Sequence, residues 1–310
     1  IELLCIPSSV GGEPAMQALT DNATKLQFEN ERLDKSIELL AGDAPISMFN
    51  LKALNDLLGG IYPGLIYILG ATPGAGKTTF ILQIADDLAA SGQPIIFVSC
   101  ELSEPKLLQK SLARIEGKDL TLSKVVDAAS PQHPNHNIFE AAVEKYRASV
   151  ASNIAITGPI SLTELGYLVA SCKRERGKAP VVFIDYLQIL ACGDSTNPFI
   201  DERLAISSCI QGLRDIATFY GAPIFTLSTI TRSSYGSKSP NLAVFGGSSA
   251  VEYSVDVALY LTDDKEEACL RFGNLDGTPR KLIMLKNRYG SLGEAKLSFD
   301  ALHAIFSDRS

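Results

Sequence analysis

The sequence has no Trp, only three Met and three His, and its six Cys include no C-x-x-C pair. With His confined to positions 133, 136 and 303 and Cys to 5, 100, 172, 192, 209 and 269, no zinc-ligand spacing exists, and the cysteines read as reduced, mostly buried thiols. Long apolar runs are missing as well. The strongest, VVFIDYLQIL, falls short of the roughly 18 residues that cross a bilayer and carries Asp185 in its middle, so no membrane partner is expected. The N-terminal IELLCIPSSV has neither a basic stretch nor a sustained apolar one, which excludes a secretory signal of the usual kind and gives a cytoplasmic protein as the expectation. Ile1 rather than Met opens the chain, which is compatible with the C-terminal part of something longer. Positive charge is scarce: 28 Lys and Arg against 35 Asp and Glu leave a net charge of −7, an argument against binding nucleic acid by bulk charge that still allows a local loop or the lining of a ring.

What is present is ordinary globular composition, with 310 residues and 46% hydrophobic content sufficient for a large core in one or two domains. No internal repeat or low-complexity tract occurs. Residues 1–45 are polar and weakly patterned and read as a linker with one helix, in which Leu26, Leu33, Ile37 and Leu40 form an apolar stripe over 23–41. That stripe suits packing on the chain's own core and packing on a neighbouring copy equally well. From residue 46 to 310 the chain reads as one α/β domain. Strand-like runs LIYILG, PIIFVSC, NIAITG, VVFIDYLQIL and APIFTLST alternate with helical stretches, which predicts five parallel strands in a central sheet flanked by helices. After Thr231 a Ser/Gly-rich segment leads to DVALYLTDD, RKLIMLKNR and AKLSFDALHAIFS, expected as antiparallel strands at the C-terminal end.

The run LIYILG leads into Ala71, Thr72, Pro73, Gly74, Ala75, Gly76, Lys77, Thr78 and Thr79, which match the pattern G-x-x-x-x-G-K-[ST] with Ala71 for the first Gly. Gly74 and Gly76 allow backbone amides to turn inward around phosphate oxygens, Pro73 stiffens the loop, and the helix that begins near Lys77 presents its positive end. Lys77 is placed to reach the β- and γ-phosphates of ATP, and Thr78 to hold Mg²⁺ through its hydroxyl. Asp185 ends a run too apolar for an edge strand, which makes it the second Mg²⁺-associated group. Glu101 ends the strand after the P-loop helix. Strand C-termini converge on one edge in doubly wound sheets, so Glu101 faces the same nucleotide and is the candidate for orienting the attacking water; a plain helix-capping neighbour is the alternative.

Together these motifs resemble the C-terminal ATPase domain of DnaB-type replicative helicases, within the RecA-like P-loop group, over most of the chain. The resemblance rests on LNDLLGGIYPGLIYILGATPGAGKTTF, SCELSEPKLLQKSLARIEG, VVFIDYLQIL, LRDIATFYGAPIFTLSTITRSS, the segment from Glu252 to Asp256, and LKNRYGSLGEAKLSF. It implies a hexameric ring of identical chains with ATP between neighbours, single-stranded DNA in the channel, and a primase or loader as a possible partner. It also implies that Arg288 crosses to the neighbour's γ-phosphate as an arginine finger, with Lys286 beside it. Thr229 stands where the family carries a Gln that senses the γ-phosphate, and Arg232 follows it. In the channel loop, about residues 233–250, Lys238 is the one charge, and Gly246, Gly247 and Ser248 replace the family's charged end. Backbone amides of such a loop can hold DNA phosphates. Tyr235 and Phe245 are candidates for stacking on bases or for packing on a neighbouring subunit. Two other readings stay open: a RecA-like ATPase of the KaiC or RadA kind, acting in recombination or signalling without unwinding, and a nucleotide-gated assembly platform.

Overall fold

A computed structural model describes Leu33, Ile37 and residues 44–47, 50–188, 190, 202–231, 240–245, 254–264 and 277–309. The chain divides into two compact units, Ile1–Ala44 and Pro45–Ser310. In the first, Leu33 and Ile37 are helical and exposed, while Leu26 and Leu40 of the anticipated stripe lie outside the described residues.

The second unit begins with α1 (Lys52–Leu58) and β1 (Ile66–Ala71), followed by α2 (Lys77–Ala90), β2 (Ile95–Ser99) and α3 (Glu104–Glu116). Two helices, α4 (Leu122–Ala128) and α5 (His136–Tyr146), precede β3 (Ile154–Thr157), α6 (Leu162–Arg176) and β4 (Val181–Asp185). Next come α7 (Glu202–Tyr220), β5 (Ile224–Ser228), β6 (Val257–Asp263), β7 (Thr278–Asn287), β8 (Glu294–Asp300) and β9 (Ile305–Asp308). The strands form one nine-stranded sheet in the order β3-β2-β4-β5-β1-β6-β7-β8-β9.

The inner strands are buried on both faces, as continuous Val/Ile/Phe runs require. Successive residues supply opposite cores: Tyr67 and Leu69 of β1, Phe183 of β4 and Phe225 of β5 face the side covered by α2, while Ile66, Ile68, Val182 and Ile184 face α6 and α7. On the α2 side a row of aromatics crosses four strands in register. Tyr67 stacks on Phe225 at 4.3 Å, Phe225 on Phe183 at 5.2 Å, and Phe183 on Phe97 at 6.0 Å. The C-terminal strands are pinned to the front of the domain. Gln83 of α2 exchanges hydrogen bonds of 2.9 and 2.7 Å with the backbone of Phe306, and the Asp308 carboxylate caps the Lys52 and Ala53 amides that open α1.

Two expectations change. The segment Val257–Asp263, anticipated as antiparallel, pairs parallel with β1 (Tyr67 opposite Val257, Ala71 opposite Leu261), so six strands are parallel rather than five. Its first five residues are buried, the mark of an interior parallel strand, and the long connection after β5 returns the chain to the starting edge. Antiparallel pairing begins at β6 with β7 and continues through β8 and β9. Phe245 is not available for base stacking or for a neighbour: it is 5% exposed and packs with Ile230 over Gly70, where an added Cβ would stand 2.8 Å from its ring. Tyr235 lies outside the described residues. Between β2 and β3, helices α3 to α5 build a small core of their own from Leu112, Leu120, Val125, Ala128 and Ala142. Of the cysteines described, Cys209 is buried and Cys100 and Cys172 are half-buried; Cys5, Cys192 and Cys269 lie outside the described residues.

Candidate functional site

The loop between β1 and α2 adopts the conformation its glycines permit. Gly74 has φ 78° and Gly76 φ 94°, both in the left-handed region that a Cβ disfavours. The loop is closed by Ala75 N–H donating to Thr72 O at 3.1 Å and anchored to the sheet by Thr72 N–H donating to Leu261 O at 3.2 Å. The first helical bond runs from Phe80 N–H to Gly76 O at 2.8 Å, so the amides of Lys77, Thr78 and Thr79 have no intrahelical acceptor and open toward the loop's concavity. A helix end of this kind, with its dipole, is an anion site.

Sheet order brings the carboxylates there. β4 lies beside β2, with Ser99 opposite Asp185, so Asp185 and Glu101 emerge at the same edge. Asp185 Oδ2 accepts a 2.8 Å hydrogen bond from the Thr78 hydroxyl. Its Oδ1 is buried without a partner among the described residues, as is the Thr72 hydroxyl. Burial raises the Asp185 carboxyl above the usual carboxylate range, against the Thr78 hydrogen bond and the Lys77 charge. A buried carboxylate oxygen with nothing to accept from, next to a threonine hydroxyl and an anion-binding helix end, fits Mg²⁺ held jointly with phosphates. Among the described residues no group of three or more His, Cys, Asp or Glu is placed to hold a metal ion. Lys77 Nζ lies 3.8 Å from Glu101 Oε2 and 5.2 Å from the Tyr186 ring centroid.

Several contributors to this edge were not singled out from sequence. Gln188, inside the quoted IDYLQ run, donates to the Ser228 hydroxyl at 2.9 Å and accepts the Thr229 amide at 3.3 Å, tying the loop after Asp185 to the end of β5. Lys110 of α3 donates to the Thr79 hydroxyl at 3.0 Å, and burial lowers its pKa. Arg280 of β7 reaches the Ala75 carbonyl. The Cys100 thiol is pushed by burial up to about 11, which leaves it protonated and unreactive beside the site.

Lys286 and Arg288 lie elsewhere. β7 runs antiparallel to β6, so Asn287 sits opposite Val257, itself opposite Tyr67 near the start of β1. At roughly 3.3 Å per residue, that level is about 13 Å along the sheet from Ala71, where the P-loop begins. Arg288 Nη1 is 3.2 Å from Asp256 Oδ1, and its amide donates to Asp256 O at 3.1 Å. The other oxygen of Asp256, a fully buried residue, accepts the Ile66 amide at 2.9 Å and Arg214 Nη1 at 2.6 Å. Arg232, Lys238, Gly246, Gly247, Ser248 and Glu252 lie outside the described residues.

A P-loop and a buried strand-end aspartate, on the C-terminal edge of a mainly parallel sheet with the P-loop strand inside it, define a RecA-like P-loop nucleotide-binding domain. More narrowly, the chain belongs to the DnaB-like helicase C terminal domain family, whose profile matches residues 48–308. It is 29% identical over 267 residues to the replicative DNA helicase DnaB of Treponema pallidum (strain Nichols), covering 84% of this chain and 55% of that one. To its counterpart in Haemophilus influenzae it is 23% identical over 259 residues, covering 82% and 53%. The chain thus spans about half the length of the curated relatives it matches. Among solved structures, an isolated ATPase domain superposes with a TM-score of 0.76 at 19% identity, covering 92% of this chain and all of that one. A DnaB-like replicative helicase, described with its interactions with primase, superposes at 0.75 and 19% identity, covering 96% and 70%. At that identity these two share the fold. No helix among the described residues is long and apolar enough to cross a membrane.

Proposed function

We propose that this chain is the motor part of a replicative DNA helicase, with residues 1–45 a helix-bearing linker and 46–310 an ATP-hydrolysing domain that works in a hexameric ring, moves along single-stranded DNA and parts a duplex. The observation that carries the reading is the division of hydrolytic groups between two edges of one sheet. Lys77, Thr78, Glu101 and Asp185 gather at one edge, and Lys286 and Arg288 stand at the other. A neighbour placed head to tail supplies the second set to the first, and repetition of that contact closes a ring.

In such a site the amides at the start of α2 and the Lys77 ammonium take the β- and γ-phosphates of ATP, and Thr78 and Asp185 hold Mg²⁺. Bound there, Mg²⁺ neutralises charge that builds on the phosphoryl oxygens. Glu101, half exposed beside Lys77, orients the attacking water and accepts its proton. Arg288 from the neighbour stabilises the transition-state charge, with Lys286 beside it. Gln188 grips Ser228 and Thr229, so a shift of the loop after Asp185 is passed to the chain entering the DNA-facing loop. Thr229 and Arg232 hold the proposed sensor position, and Lys238 with Gly246, Gly247 and Ser248 are the proposed DNA contacts. A primase or loader partner and a cytoplasmic location belong to the same reading.

The test is steady-state ATP hydrolysis with and without a single-stranded oligonucleotide at low salt. Strong stimulation supports a DNA-tracking motor. Hydrolysis indifferent to DNA favours the recombination or signalling ATPase, which the net charge of −7 and Thr229 also favour, and absent hydrolysis points to the nucleotide-gated platform.

A further inference from the structure

A loop that turns its N–H groups inward around phosphate must turn carbonyls outward, and where those carbonyls are buried each needs a donor from the protein. Ala75, in the middle of the P-loop, is 1% exposed, and its carbonyl accepts a 3.3 Å hydrogen bond from Nε of Arg280. Arg280 is itself buried, at 7% exposure, on β7. Its guanidinium is fixed in three further directions. Nη1 lies 2.7 Å from Asp263 Oδ1 at the end of β6, the same nitrogen reaches Pro279 O at 3.2 Å, and the planar group lies 5.6 Å from the Phe299 ring centroid. That ring is also the wall behind Gly76, where an added Cβ would stand 3.0 Å from it. Arg280 and Phe299, from neighbouring strands, therefore form the outer face on which the P-loop rests.

We propose that Arg280 is a positioning residue for the phosphate site: by holding the Ala75 carbonyl outward it keeps the following amides of Gly76 and Lys77 turned toward the nucleotide. It touches no reacting atom. The planar five-donor fork of Arg suits the role because Nε can serve the carbonyl while Nη1 stays on Asp263; a Lys offers one nitrogen for both. This inference rests on the reading of the loop as a nucleotide site. It goes beyond that reading in assigning loop geometry to a residue on the antiparallel half of the sheet.

The test uses the full chain with Arg280→Met, Arg280→Lys and Asp263→Ala, measuring ADP affinity in the presence of Mg²⁺ by titration of a fluorescent ADP analogue, thermal midpoint, and the KM and kcat of hydrolysis. Arg280→Met should weaken ADP binding about tenfold, the size of one lost charge-assisted hydrogen bond, and raise KM more than it lowers kcat. Arg280→Lys should recover part of the loss. A folded Arg280→Met protein with wild-type ADP affinity overturns the proposal, because a residue that only stabilises the sheet changes the midpoint and not the affinity. If Arg280→Met fails to fold, Asp263→Ala decides, since it keeps the guanidinium and removes its outer anchor: weakened binding supports the proposal and unchanged binding overturns it. Wild-type protein that binds no ADP would overturn the nucleotide reading itself, a result distinct from unchanged affinity in the variants.

Discussion

Removing the Arg288 guanidinium has a small cost inside its own chain and, on the proposed function, a large one in the next. Within the chain, the side chain is 45% exposed and its partner Asp256 retains Arg214 and the Ile66 amide. A half-exposed ion pair contributes about 0–1 kcal/mol, so Arg288→Ala should lower the thermal midpoint by only a few degrees and leave ADP affinity unchanged. Hydrolysis, in contrast, should fall by roughly 10³-fold or more, about 4 kcal/mol of barrier, if the guanidinium completes a neighbour's phosphate site. Subunit mixing tests the direction of that contribution. Lys77→Ala subunits have a dead P-loop and an intact Arg288, and Arg288→Ala subunits have the reverse. In an equal, randomly exchanged mixture, roughly a quarter of subunits combine a working P-loop with a neighbour's intact Arg288, and about that share of wild-type turnover should return. Two inactive parents giving an inactive mixture after verified subunit exchange would refute the reasoning. Parallel losses of ADP binding and turnover in Arg288→Ala alone would make it a structural residue.

Two further predictions concern the scaffold. Phe183, fully buried between Phe97 and Phe225, is the middle of the aromatic row, and Phe183→Ala should cost about 3–5 kcal/mol in urea denaturation; a loss under about 1 kcal/mol would mean the row closes around the gap. At the start of α6, the Ser161 hydroxyl accepts the Glu164 amide, while the Glu164 carboxylate accepts from the Ser161 backbone amide and its hydroxyl. Those bonds hold the Glu164 carboxyl below its ordinary value of 4.5. A depressed carboxyl contributes stability that is fully present above the ordinary value and is lost as pH falls through the folded one. Ser161→Ala should therefore lower stability at neutral pH by about 1 kcal/mol, as a lost N-cap does, and flatten the decline as pH falls below the ordinary 4.5 of a Glu carboxyl. An acid limb of unchanged slope in that variant would assign the decline to other carboxylates.

The phosphate site was legible because its demands fall on residue types. A loop needing φ of 78° and 94° is written as Gly74 and Gly76, and a carboxylate delivered to the sheet edge is written as Asp185 at the end of an apolar run. Contacts made to backbone left no such mark. Arg280 answers a carbonyl 205 positions away that any residue at 75 would carry, so nothing local distinguishes it from the solvated cations of an exposed strand. Gln188 was visible as a residue, but its bonds to Ser228 and Thr229 follow from β4 and β5 being neighbours, which strand order alone decides. Phe245 was misread because an aromatic in a Ser/Gly-rich segment resembles a surface group; its role is set by the space over Gly70, a close approach that involves two distant stretches of chain.

The direction of β6 matters beyond the count of parallel strands, because it decides which edge receives Lys286 and Arg288. β7 is antiparallel to β6 through a hairpin-like pairing that runs from Asp263 opposite Arg280 to Val257 opposite Asn287. Had Val257–Asp263 run antiparallel to β1, β7 would run parallel to β1 and its C-terminal end would emerge beside the P-loop. Arg288 would then be a group available to its own nucleotide. Because β6 is parallel to β1, the same strand instead starts at the P-loop edge, with Arg280 against Ala75, and ends at the opposite edge, with Arg288 against Asp256. One ten-residue strand thus touches the chain's own P-loop at its beginning and leads at its end to Lys286 and Arg288, the pair that the proposed function offers to another chain's phosphate. β7 is paired with β6 along its length, with a register shift between Ala258 and Leu259, and with β8 from Thr278 to Ile283. On the proposed function, the parallel β6 is the feature that leaves a single copy without an arginine at its own phosphate site, and it is why the subunit-mixing experiment, rather than any measurement on one variant, is the decisive one.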